Sequence, residues 1–115
     1  MNDLIPEKYR DDEEIIRLTI QQLQKDLGSS CPDFHFSGHK DKLFEELVHQ
    51  LADVIAPIRK SNPALFKVIM YKVDMIESKV SEALKRNDFY LLAGRIIQRE
   101  FQKVLTRRFF SGKEK

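Results

Sequence analysis

Cys31, His35 and His39 stand four residues apart in the stretch "SSCPDFHFSGH", and they are the residues with the most obvious chemical potential in the chain. A thiolate and two imidazoles are three of the four ligands that a tetrahedral structural zinc site uses, and Asp33 could add an oxygen. Strong zinc signatures instead pair their ligands across a tight turn and repeat the pair further along. Here there is no second pair, and Pro32 and Gly38 argue against one continuous helix carrying all three side chains. A thiol–imidazole nucleophile would also need a third group to orient the base, and none is placed for it. The mechanical reading is that Phe34 and Phe36 plug one end of a helical core while Ser37 or Asp41 caps the next helix.

A second set lies in the C-terminal segment: Arg95, Arg99, Lys103 and Arg107, again four residues apart. On a helix this spacing holds four cations on one side, drifting by about 40° per step. The first two are expected almost opposite the apolar stripe. Such an edge suits a phosphate backbone or another polyanion. Against that, no glycine-rich phosphate loop is present, and Tyr71 and Tyr90 do not interleave with the ladder as base-stacking residues would. A helix-turn-helix reading of the last two helices fails because the turn that would read bases is the apolar "FYLLAG".

The third set is apolar. Val68, Tyr71 and Met75 form a short seam outside the main stripe of their helix, and an exposed seam of this kind marks a contact with a partner or a second copy. For catalysis there is little. Glu45, His49 and Asp53 follow one another at helical spacing, but on a face expected to be solvated, where carboxylates and imidazoles keep ordinary acidities. GxGxxG, Walker, HExxH and GxSxG motifs are absent from the sequence. No cofactor and no enzyme activity is expected.

The elements that must position these residues follow from the 3.6-residue period. Helices are expected over 11–27, 39–59, 63–86 and 89–109. The first carries Ile16, Ile20, Leu23 and Leu27 on one stripe, opens on the acidic run "DDEE" and is capped by Gly28. The second carries Phe44, Leu47, Val48, Leu51, Val54, Ile55 and Ile58, with Pro57 expected to kink or shorten its last turn. Asn62-Pro63 reads as an N-cap followed by the first helical residue. The third then places Phe66, Ile69, Val73, Ile76, Val80 and Leu84 in alternating three- and four-residue steps. Asn87 or Asp88 caps the fourth, which buries Ala93, Ile97, Phe101, Val104 and Leu105. Gly94 beside Ala93 would admit a close neighbour. Short connections favour antiparallel neighbours, so the expected fold is all-α, an up-down four-helix bundle. Residues 1–10 form an N-terminal extension, 11–110 the single domain and 111–115 a frayed tail.

The bulk figures agree with such a chain. It has 115 residues, 42% hydrophobic and 33% charged, with four Gly, four Pro and one Cys. A lone cysteine excludes an internal disulfide framework, the N-terminus lacks the pattern of a signal peptide, and no apolar run approaches bilayer length. A cytoplasmic protein is expected, with no membrane partner. Residues 1–57 hold 6 Lys/Arg against 12 Asp/Glu and residues 58–115 hold 14 against 6, a split of −6 and +8 beneath the net +2. The split either serves an anionic ligand or matches acidic helices to basic ones. A protein–protein interaction module, homodimeric if the third helix pairs with itself, is the function these features favour. Nucleic-acid or other polyanion binding comes second, and metal binding third.

Overall fold

The computed structural model describes Tyr9 and residues 11–114. The described chain is all-helical: α1 Glu13–Leu27, α2 Leu43–Ser61, α3 Pro63–Val73, α4 Glu77–Lys85 and α5 Phe89–Glu114, with short 3-10 turns at Gly28–Ser30 and Lys40–Lys42. Apart from Tyr9, the segment read as an N-terminal extension lies outside the described residues, as does Lys115. The α5 backbone continues to Glu114, through most of the segment read as a frayed tail.

Among the described residues five helices stand where four were expected, because the third one breaks. Asp74 adopts a left-handed backbone, φ 70°, and Ile76 is extended. The Met75 amide bonds back to the Met70 carbonyl and the Asp74 amide to that of Tyr71, each at 3.0 Å. That pair of bonds is a Schellman closure, which normally takes glycine in the left-handed position. α4 ends the same way on Asn87, φ 52°, with the Asp88 amide on Ala83 and the Asn87 amide on Leu84. Asp88 then accepts the Leu91 amide at 2.9 Å and starts α5. Ile76, assigned to the buried stripe by spacing, is 60% exposed because the break turns it outward.

Other helix ends follow local chemistry. Asp12 caps α1 by accepting the Ile15 amide, and Asn62 caps α3 by accepting that of Leu65. α2 runs on through Pro57 to Ser61 instead of ending early. Neither Ser37 nor Asp41 caps α2. Asp11, from before α1, accepts the Phe44 amide at 3.1 Å and so ties the start of α2 to the start of α1.

α5 is the centre of the molecule. It packs against α1, α2, α3 and α4, and no residue from Leu91 to Leu105 is exposed. Its Leu92, Ala93, Ile96, Ile97, Phe101, Val104 and Leu105 meet Ile15, Ile16, Leu23 and Leu27 of α1 and Leu43, Leu47, Val48, Leu51 and Ile55 of α2 in one core. Phe101 sits edge-on to Phe44, ring centres 5.7 Å apart. Ala93 is fully buried, but no atom lies within 4 Å of where a Gly94 side chain would begin. Gly94 therefore serves no close approach.

Candidate functional site

The connection from α1 to α2 crosses the surface of α2 as an irregular segment tied to Gln50 and Glu46. Gln50 holds it as a partner strand would: its side-chain oxygen accepts the His35 amide at 2.9 Å and its nitrogen donates to the His35 carbonyl at 2.8 Å. Glu46 accepts the Ser37 amide at 3.2 Å, and the Ser37 side chain followed by this amide holds its carboxyl below the ordinary value. Phe34 and Phe36 are half-buried against the core, while His35 and His39 are exposed. Among the described residues, no three His, Cys, Asp or Glu side chains are grouped to hold a metal ion. Cys31, His35 and His39 are thus not brought together. Burial, with Asp33 and Glu100 adding negative charge, pushes the half-buried Cys31 thiol up to about 11, so it remains an inert thiol rather than a thiolate nucleophile.

The cationic ladder is folded inward. Arg95 donates to the Lys79 carbonyl at 2.7 Å and meets Glu82 at 3.0 Å. Arg99 donates to the Asp74 carbonyl and pairs with its carboxylate at 2.9 Å, gripping the residue that closes α3. Lys103 reaches Asp26 at 2.8 Å and the Lys72 carbonyl at 3.1 Å. Arg107 donates to the Gln22 side chain at 2.9 Å. Side chains of 20%, 32% and 16% exposure for Arg95, Arg99 and Lys103 place them between helices, not opposite the buried stripe. Long cationic side chains run their stems over apolar surface and end on carbonyls and carboxylates. Of these ion pairs only Lys103–Asp26 joins the basic half of the chain to the acidic half; Asp74 and Glu82 lie within the basic half itself.

One buried cluster has no counterpart in the candidates read from sequence. Glu100 is fully buried on α5, and Asp26 on α1 is 9% exposed. Lys103 lies 3.0 Å from one Glu100 oxygen, yet neither Glu100 oxygen accepts a hydrogen bond from a described residue. Burial, followed by the neighbouring Asp26 carboxyl, pushes the Glu100 carboxyl up to about 8 despite Lys103. Burial pushes Asp26 up too, but the neighbouring Glu100, the hydrogen bonds from Lys103 and Gln22 and the Lys103 charge bring it below its ordinary value. Two carboxyls thus face one ammonium.

Hydrophobic side chains also reach the surface. Tyr71 is 85% exposed, Ile76 60% and Val68 47%. Met75 is half-buried and joins Tyr71 in a groove of about 750 Å³ between α3 and α4, floored by Phe66, Met70, Val80 and Leu84. Arg59 and Lys67 flank it, with Glu77 the one acidic residue along it. A second groove of about 620 Å³ shares Arg59 and Leu84 and adds Lys60 and Phe89. Arg59 stands over the Phe66 ring at 5.6 Å. Elsewhere, exposed His49 of α2 lies against Tyr90 of α5, ring centres 4.7 Å apart and planes tilted by 59°.

Among the described residues no helix is long and apolar enough to cross a membrane. The chain matches no protein-family model, no curated protein and no solved structure.

Proposed function

We propose that this chain is a cytoplasmic, non-enzymatic interaction module, and that its docking face is the α3–α4 groove with Tyr71 at its edge. The observation that carries the reading is the 85% exposure of Tyr71 beside an apolar groove about 750 Å³ in size. A tyrosine on the surface of an isolated domain gains nothing from such exposure, whereas at an interface it supplies a large rigid contact. Met70 and Met75 add adaptable apolar surface, as methionines do in grooves that receive a helix.

The occupant we assign is an amphipathic helix of a partner protein with an acidic flank. Arg59, Lys60 and Lys67 set the charge along the two connected grooves, opposed by Glu77. A twofold pairing of this face would set its excess of cations, three against the single Glu77, against the same excess on the second copy, so the rim favours an acidic partner over self-pairing through the third helix. A polyanion surface on Arg95, Arg99, Lys103 and Arg107 has less support, because each of the four is engaged by a carbonyl, carboxylate or amide of the chain itself.

Fluorescence anisotropy with an acidic amphipathic helical peptide, its lysine-substituted counterpart and a scrambled control tests the assignment. The acidic peptide alone should bind, more weakly as salt rises, and Tyr71→Ser with Met75→Asp should reduce its affinity at least about tenfold. Absence of binding by every peptide, with a monomer in sedimentation, would sink the proposal. A dimer dispersed by Tyr71→Ser would replace the partner helix with a second copy.

A further inference from the structure

We propose that Asp26, Glu100 and Lys103 form a proton-operated latch that fastens the C-terminal half of α1 to α5 and opens when Glu100 loses its proton. The geometry makes this cluster a joint between three elements. Lys103 bonds Asp26 of α1 at 2.8 Å, the Lys72 carbonyl in the last turn of α3 at 3.1 Å, and lies 3.0 Å from Glu100 on its own helix. Gln22, one turn before Asp26, donates to the Asp26 carboxylate at 3.2 Å and accepts from Arg107 at 2.9 Å. The same stretch of α1 is thus held twice, and both holds converge on Asp26.

Among the described residues the charged groups acting on Glu100 are Asp26 from α1 and Lys103 from α5. From the α1–α2 connection, Cys31 faces it as a neutral thiol over the working pH range. From the end of α3 comes only the Lys72 carbonyl, through Lys103. With the proton present, Glu100 is neutral and one ammonium balances one carboxylate. Without it, two carboxylates confront that ammonium, and a fully buried charge is left with no hydrogen-bond donor aligned on it. The way out is local opening that admits water.

The sign follows from proton linkage. Folded Glu100 holds its proton up to about pH 8, whereas an unfolded glutamate releases it near 4.5. Between those values the folded chain binds more protons, so the stability that depends on the Glu100 proton is full below about 4.5 and is lost as pH rises through about 8. Across pH 7 to 9 the folding constant should fall about tenfold. The latch is independent of the docking proposal and survives its failure.

The test compares the wild type with Glu100→Gln, which mimics the protonated carboxyl, by urea unfolding and amide exchange at pH 6 to 9. The wild type should lose about tenfold in its folding constant relative to the variant between pH 7 and 9. At pH 9 exchange should be faster in the wild type at Gln22–Leu27, with little change in α2. Asp26→Asn should move the transition to lower pH and Lys103→Met to higher pH, since the first removes a group that raises Glu100 and the second one that lowers it. Parallel pH profiles for wild type and Glu100→Gln would overturn the latch, as would faster exchange spread evenly over the molecule. Should Glu100→Gln fail to fold, the carboxyl ¹³C resonance of wild-type Glu100 decides: a midpoint near 8 supports the latch, one near 4.5 removes it.

Discussion

Lys103 carries one positive charge between two carboxyls, and its side chain is only 16% exposed. Removing it leaves the Asp26 carboxylate without its counter-ion in the interior, so Lys103→Met should cost about 3 kcal/mol at pH 7, read from urea unfolding. Arg108 gives the contrast within the same helix. It meets Glu14 at 3.7 Å with half its side chain in water, and Arg108→Ala should change stability by less than about 0.5 kcal/mol. A cost for Lys103→Met no larger than that would mean the cluster is already hydrated. Much of this site was readable in advance. Ala93, Ile97, Glu100 and Val104 follow one another at steps of four, three and four, so Glu100 occupies a core position by period alone. Charge type argued against burying it, and a stripe drawn through Phe101 passed it by. Asp26 is similar, one turn beyond Gln22 on the buried side of α1. What no period can supply is the partner: Lys103 lies 77 residues from Asp26 in the chain.

At the scale of elements, the end of α1 at Gly28, the Asn62-Pro63 start of α3 and the Asn87-Asp88 boundary were legible, because each rests on side chains within a few residues. The break at Asp74 was not. Ile69, Val73, Ile76 and Val80 keep helical spacing straight through it, and the left-handed position is filled by aspartate where glycine is the usual signal. Arg99 compensates by holding both the carbonyl and the carboxylate of Asp74 from the neighbouring helix. The tie from Asp11 to Phe44 was equally hidden, since the cap comes from 33 residues away. Gly94 is the opposite case, a residue whose apparent reason dissolves. Nothing lies within 4 Å of its missing side chain, so Gly94→Ala should stabilise α5 by about 0.5–1 kcal/mol through lost chain entropy. A lower melting temperature for that variant would show that the helix needs its freedom there.

For the molecule as a whole, the centre is α5. The sequence of α5 disguises this, because its circuit of buried positions includes Arg95, Gln98, Arg99, Gln102 and Lys103, none of which is exposed. Only the set of neighbours tells a snorkelling arginine from a solvated one. Phe101 is fully buried on that helix against Phe44, and Phe101→Ala should cost about 3–5 kcal/mol, a large share of the roughly 5–15 kcal/mol by which such domains are stable. Loss of cooperative unfolding in that variant is the expected readout; a melting curve like the wild type's would contradict the central role of α5. The position of α5 along the chain has a consequence for synthesis. Helices α1 to α4 leave the ribosome before α5, which they all pack against, and the contacts of Asp26 and Gln22 with it span 77 and 85 residues. Until Leu105 has emerged, α1 to α4 have an incomplete core between them, and their apolar faces stay available to chaperones and to one another. The chain should therefore gain its protection from proteolysis late and abruptly during translation, rather than helix by helix.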